Sequence, residues 1–413
     1  MSNFYDALEI RSTEEREAHL MGRLPGLLAN AVGNARGWDA RLGGVEPGAV
    51  DSRAALATLP VLRKSELGDL QKADPPFGGL VTVPPGQLGA LYMSPGPVFD
   101  AEGTGDDPWR TARALYAAGI RSGDVLQNCF GYHMTPGAWM VHQAARKLGC
   151  AIIPAGIGQT EQQLELVSMF KPDAYVGTPS FLRIMIEKAQ QTGADISNLK
   201  RALVAAEALP PSLRQWFLNQ GLEQVLQWYG TADLGLIAYE SEAQEGMILE
   251  EELILEIVRP GTNDPVPDGE VGEIVVTSFN EVYPLIRFGT GDLSAILPGA
   301  SPCGRTNTRI KGWMGRADQA TKVRGMFVRP EQVNTVAKRF PEVLKARLTV
   351  SGEMANDEMV LRCEVSARPD GLADKIVQAL RESTKLRGTV ELLESGSLPN
   401  DGLVIEDIRK FDQ

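Results

Sequence analysis

The sequence is poor in the residues that build metal centres. Its four cysteines, Cys129, Cys150, Cys303 and Cys363, include no C-x-x-C pair, and its three histidines, His19, His133 and His142, lie far from most of them. That spacing excludes a zinc finger or ribbon, so no zinc is expected and the thiols read as reduced. A basic excess is also missing. With 53 acidic against 41 basic side chains, a formal charge of −12, the chain has no electrostatic footprint for nucleic acid or an anionic membrane. No uncharged apolar run approaches the roughly 20 residues that cross a bilayer, because Gly, Pro or a charge interrupts every candidate. The first residues, MSNFYDALEIRSTEEREAHL, carry acids where a secretory signal needs a basic start and an apolar run. A soluble, cytoplasmic protein is expected, with neither nucleic acid nor membrane as partner.

What remains is an ordinary globular composition, 43% hydrophobic and 23% charged, over a length of 413 residues that suggests two unequal domains. Residues 1 to 72 read as mostly helical, with Ser12 and Glu15 at capping-box spacing. Residues 73 to 107 are dense in Pro and Gly, which favours turns and short strands. From 108 to 230, β-like runs (AIIP, AYVG, RALVAA) alternate with helical patterns (TEQQLELVSMF, PSFLRIMIEKAQ, PPSLRQWFLNQ), as in a parallel sheet covered by helices. Thr160 with Gln163, and Pro179 after Thr178, read as helix starts. Residues 246 to 297 turn richly β. After about residue 318 come PEQVNTVAKRF and DGLADKIVQALREST as helices, and KARLTVS, EMVLRCEVS and GTVELLE as strands, which suits a small α+β domain. Repeats, low-complexity segments and coiled-coil heptads are missing.

The densest chemistry runs from 228 to 318: WYGTAD, then YPLIRFGTGDL, then SPCGRTNTRIKGWMGRAD. Gly beside Asp, Thr and Arg is what a nucleotide site needs, because glycine lets backbone N–H groups approach phosphate and a carboxylate can accept two ribose hydroxyls. Any one of these motifs alone is also plain turn chemistry. Their order and separation are more specific. Together with LATLPVLRKSEL near the front, GTPSFL at 177, AEAL at 206, CGRT at 303 and KVRGMFVRPEQV at 322, they resemble the phenylacetate-CoA ligase family of the adenylate-forming superfamily, over about residues 50 to 413.

That resemblance implies an α/β fold: a large N-terminal domain, 1–316, with parallel sheets covered by helices plus a β-rich subdomain, and a small mobile α+β lid, 317–413, turning about a hinge near Asp318. It implies ATP, giving AMP, with Mg2+ and coenzyme A, a small carboxylic acid as substrate, and a homodimer. Asp292 would hold the ribose hydroxyls, Arg316 would lie beside ribose and phosphate, and Glu207 would line the adenine slot. Tyr229 would stack on adenine over a loop of Gly230 and Thr231, while Asp233 would face magnesium. Asp233 and Arg316 are thereby the candidate catalytic residues. Tyr132 and His133 would form the aromatic wall of the acid pocket, which suits an aryl acid.

The chain departs from the family pattern in four places. Where the phosphate loop is close to S-S-G-T-T-G-x-P-T, it has Ser94-Pro95-Gly96-Pro97-Val98-Phe99, leaving Ser94 and Gly96 as remnants and two prolines without N–H donors. Ala232 and Asp233 replace Thr and Glu. Leu403 stands where a late lysine belongs, with Lys410 seven residues beyond. Ser241 and Ile248 stand where some relatives carry a Cys and His metal cluster, of which only Cys303 is kept. The expected function is an AMP-forming acyl- or aryl-CoA ligase. Two alternatives stay open: a non-catalytic or impaired relative that binds AMP or an acyl ligand, and an adenylyltransferase with another acceptor.

Overall fold

The structure, a computed structural model, describes residues 3–94, 97–317, 319, 321–324, 326–353, 356–399 and 403–409. Its contacts divide the chain into two compact units, Met1–Ala206 with Trp216–Met314, and Glu207–Gln215 with Gly315–Gln413.

The first unit begins with the long helix Thr13–Asn34, whose Ser12 hydroxyl accepts from the Glu15 N–H while Glu15 accepts from the Ser12 N–H. The reciprocal cap satisfies two otherwise orphaned donors, so Ser12→Ala should lower stability by about 1 kcal/mol in urea unfolding. Leu20, Leu24, Leu27, Leu28 and Ala31 recur at helical spacing and are buried on one face. In the following helix, Arg36–Leu42, Trp38 is fully buried and its indole N–H donates to the Pro284 carbonyl at 3.0 Å. That bond ties the helical front of the chain to the segment PLIRFGTGD.

Two sheets share the unit. In the nine-stranded one, Ala151–Ile153, Val125–Asn128, Ala174–Gly177, Arg201–Val204 and Gln224–Thr231 lie side by side in parallel, and Gly235–Tyr239, Met247–Leu249, Arg309–Ile310 and Ile296–Leu297 continue it antiparallel. The expected parallel sheet with covering helices is present, since Thr160–Phe170 and Pro179–Thr192 fill the crossovers. Thr178 caps the second of these by accepting from the Phe181 N–H at 3.3 Å. Thr160 is no cap. It is the first helical residue, after Gln159 at φ 49° with no side-chain cap, and Gln163 donates instead to the carbonyls of Gly156 and Gly158. Burial explains the difference: Gln163 is the acceptor that buried Gln127 needs, at 2.9 Å.

The second sheet orders Leu62–Arg63, Leu285–Ser294, Gly272–Ser278 and Leu253–Val258. Its short first strand runs parallel to Leu285–Ser294, with Leu62 opposite Phe288 and Arg63 opposite Gly289. Arg287, buried at φ 46°, donates to the carbonyls of Ala57 and Leu59 and pairs with Glu256 at 2.9 Å. These links fix the front segment beside the Thr-Gly-Asp strand, and they place Lys64. The β-rich run from 246 therefore serves both sheets, because Met247–Leu249 and Leu253–Val258 part at a turn.

The second unit has a hairpin, Thr321–Val323 with Met326–Val328, and a sheet ordered Thr389–Leu393, Asn356–Val365, Val343–Glu353, Ile405–Asp407. Helices Pro330–Lys338 and Leu372–Thr384 supply Val333, Val336, Ile376 and Leu380 to a core shared with Leu348, Val350 and Leu361. The expected α+β elements are all present. Asp318, the expected hinge, lies outside the described residues.

Candidate functional site

Within the first unit, strand Gln224–Thr231 carries Tyr229, Gly230 and Thr231 near its end, and strand Leu285–Ser294 carries Thr290, Gly291 and Asp292. Packing between the sheets brings the two motifs together. The Tyr229 hydroxyl donates to Asp292 Oδ2 at 2.7 Å, and the Trp313 indole donates to Asp292 Oδ1 at 3.1 Å. These two neutral donors orient a buried carboxylate. Thr290 supports the turn, its hydroxyl donating to the Ile274 carbonyl and accepting from the Asp292 N–H. Thr231 accepts from the Leu234 N–H at 3.1 Å, which shapes the loop to Asp233. Gly230 is required sterically, because a Cβ there would lie 2.3 Å from the Gly235 carbonyl oxygen and 2.7 Å from the Trp228 ring.

Beside this pair lies a cluster that the motifs did not reveal. Lys64 follows the strand Leu62–Arg63 in a short turn, and its ammonium donates to Asp233 Oδ2. Asp100 stands in the hairpin of Leu91–Ser94 with Val98–Ala101, fully buried, facing Asp233, Lys64 and Ser94. Burial, then the neighbouring Asp233 charge, pushes the Asp100 carboxyl well above the usual carboxylate range. For Lys64 burial works against the charged form, but the carboxylates of Asp233, Asp100 and Asp292 outweigh it and raise its pKa. Of the phosphate-loop remnants, Ser94 ends its strand with its hydroxyl on the Val98 carbonyl, and Gly96 lies outside the described residues.

The aromatic wall also differs from the expectation. Tyr132 is half-buried, but its chain neighbour His133 is exposed. The histidine that meets Tyr132 is His142, one of whose ring nitrogens is 3.2 Å from the phenol oxygen, while Asn128 donates to the same oxygen at 2.9 Å. Helix Gly137–Leu148 makes this meeting by presenting Trp139 and His142 on one side, three residues apart. Trp139 packs edge-on against Tyr132 at 5.2 Å. Burial lifts the Tyr132 phenol to about 12 and, with Arg146 nearby, lowers His142, so both are neutral near pH 7.

Glu207 and Arg316 belong to the second unit, each half-buried, and Lys410 lies outside the described residues. Sequence reasoning missed Lys64, Asp100, Trp313 and His142. Lys64 and Trp313 sit inside quoted motifs, LATLPVLRKSEL and KGWMGRAD, so their chemistry was visible but not their target. For Asp100 no local signal exists. Among the described residues, no three or more His, Cys, Asp or Glu side chains gather as a metal site, and no helix is long and apolar enough to cross a membrane. A hard divalent cation still has a fitting ligand, because Asp233 Oδ1 is buried without a hydrogen-bond partner.

Known proteins resemble this chain in sequence and in fold. A family model described as AMP-binding enzyme matches residues 132–280. The phenylacetate-coenzyme A ligase of Thermus thermophilus is 32% identical over 81% of this chain and 79% of its own. The phenylacetate-coenzyme A ligase of Aromatoleum evansii is 30% identical over 87% of this chain and 84% of its own. In fold, a 2-hydroxyisobutyryl-CoA ligase solved with its acyl-adenylate and CoA superposes with a TM-score of 0.86 at 24% identity, covering 99% of this chain and 93% of that one. The chain belongs to the phenylacetate-coenzyme A ligase family of the adenylate-forming superfamily.

Proposed function

We propose that the protein is an AMP-forming acid–thiol ligase that activates a carboxylic acid with ATP and transfers the acyl group to coenzyme A. In the first step a carboxylate oxygen attacks the α-phosphorus, the bond to the bridging oxygen breaks, and pyrophosphate leaves. In the second the thiol sulfur attacks the acyl carbon, AMP departs with the former carboxylate oxygen, and the thiol proton passes to solvent. Neither step needs a protein nucleophile. Both need charge neutralisation and alignment.

Asp292, oriented by Tyr229 and Trp313, is the carboxylate for the ribose hydroxyls, and Tyr229 offers its ring to adenine. Lys64 is the cation for phosphate charge, a role that gains weight from Leu403 standing where the late lysine belongs. Mg2+, when bound, would neutralise phosphate charge at Asp233. Glu207 and Arg316 keep their family assignments to the adenine slot and to ribose and phosphate. Tyr132, with both partners of its hydroxyl already in place, presents a ring rather than a hydrogen bond, and with Trp139 it suits an aromatic acid. A nucleotide- and thiol-dependent ligase of this kind belongs in the cytoplasm.

The observation that carries the reading is the convergence of Tyr229, Trp313 and Asp292 beside the Lys64 ammonium. Acid-dependent exchange of pyrophosphate into ATP, and AMP release that rises with coenzyme A, test it. Asp292→Asn should raise the ATP KM about 10- to 100-fold, the loss of charge-assisted hydrogen bonds to two hydroxyls. AMP binding without exchange would identify a non-catalytic relative instead. AMP release indifferent to coenzyme A would point to another acceptor.

A further inference from the structure

Two buried carboxyls, Asp100 and Asp233, stand together beside the Lys64 ammonium. Elsewhere in the first unit, buried carboxylates have donors at hand: arginines for Glu9, Glu250, Glu251 and Glu256, and neutral groups for Glu102 (Tyr92 and Gln143), Asp107 (backbone N–H groups) and Glu240 (Gln227). Here the Lys64 ammonium, bonded to Asp233 Oδ2, faces both Asp233 and Asp100. Both oxygens of Asp100 and Oδ1 of Asp233 have no hydrogen-bond partner, and among the described residues they are the only buried carboxylate oxygens in that condition. A further group points to the same deficit. Tyr283, fully buried and on a different segment, has an unpartnered hydroxyl and faces Asp233 and Asp100.

Four buried oxygens from three segments, among them a carboxyl whose ionisation burial and Asp233 oppose, are the setting in which a positive ligand would displace the Asp100 proton and satisfy the unpartnered oxygens. The donor set is oxygen only, with no imidazole or thiolate, which selects hard cations over zinc or copper. Two protein carboxylates, with water completing the shell, are how Mg2+ and Mn2+ are commonly held. We propose that Asp100 and Asp233 bind a divalent cation of the Mg2+ class on the protein itself, in the absence of nucleotide, with the Tyr283 hydroxyl alongside. Asp100 supplies the second carboxylate from the hairpin that stands in place of a phosphate loop. Lys64 competes with the cation for Asp233. The site uses Asp233 in the sense proposed above for Mg2+, but it needs neither ATP nor acid to fill.

The test is a titration of metal-stripped, full-length protein with Mn2+, without nucleotide, read by electron paramagnetic resonance. The expected result is one Mn2+ bound per chain and displaced by Mg2+. Loss of a direct ligand should weaken binding at least as much as outer-shell changes do, so Asp100→Asn is expected to reduce affinity about 10- to 100-fold. Lys64→Met should bind Mn2+ as tightly or more tightly, because the competing ammonium is gone. Circular dichroism checks the fold of each variant, and if Asp100→Asn does not fold, Lys64→Met and Tyr283→Phe carry the test. No Mn2+ bound at millimolar concentration, binding only with ATP present, wild-type affinity in Asp100→Asn, or loss of binding in Lys64→Met would each overturn the site. Because ATP, acid and coenzyme A are left out, failure of the ligase reading would leave this result intact.

Discussion

Replacing Lys64 with methionine is expected to reduce acid-dependent AMP formation by about 100- to 1,000-fold, the usual cost of removing one preorganised group that stabilises developing charge. Methionine keeps the length and apolar body of the side chain, so packing changes little. What disappears is an ammonium that faces Asp233, Asp100 and Asp292 together. Without it, incoming phosphates would meet these carboxylates with less positive charge to offset them, and repulsion would oppose both binding and the transition state. Arginine should rescue poorly, because a planar guanidinium cannot occupy the compact position of an ammonium on Asp233. Pyrophosphate exchange, with kcat and KM separated, measures the effect. Rates within a few-fold of wild type would remove Lys64 from the reaction.

The second large effect concerns stability. Glu9, fully buried, accepts from Arg305 at 2.9 Å, Arg113 at 3.3 Å, the Tyr239 hydroxyl at 3.2 Å and the Tyr5 N–H at 3.2 Å. Arg113 keeps Asp6 and Glu250 if Glu9 is neutralised. Arg305 fares worse, since its other carboxylate, Glu242, is 3.7 Å away and largely exposed. Glu9→Gln also turns an amide N–H toward these donors. Leaving a buried arginine without its counter-ion costs about 3–5 kcal/mol, and urea unfolding should report a loss of that size. Unfolding indistinguishable from wild type would mean that the network relaxes around the amide. The network joins the N-terminal segment to strand Gly235–Tyr239 and to residue 305, so the loss should also loosen the front helix.

Much of this molecule follows from local rules. The alternation of AIIP, AYVG and RALVAA with amphipathic runs yields a parallel sheet because short β-branched strands and 3.6-residue periodicity leave few other ways to bury apolar surface. The Ser12 cap could be read because its partner is three residues away. The Thr160 cap failed because Gln163 serves a buried neighbour, Gln127, that is distant in sequence. His133 and His142 divide the same way: adjacency suggested the first, but a helical turn carries the second to Tyr132.

By itself, the sequence determined the βα order, the small α+β unit after residue 318, and the motifs YGTAD and PLIRFGTGD that mark the family, since each depends on neighbours within a few positions. Only the tertiary structure decided that Lys64 meets Asp233 across 169 residues, that Trp313 and Tyr229 share Asp292, and that Asp100 and Tyr283 are left facing unpaired charge. The physical reason is that strand register and sheet packing create such meetings: the pairing of Leu62 with Phe288 sets where an ammonium two residues later can reach, and no local pattern encodes that distance.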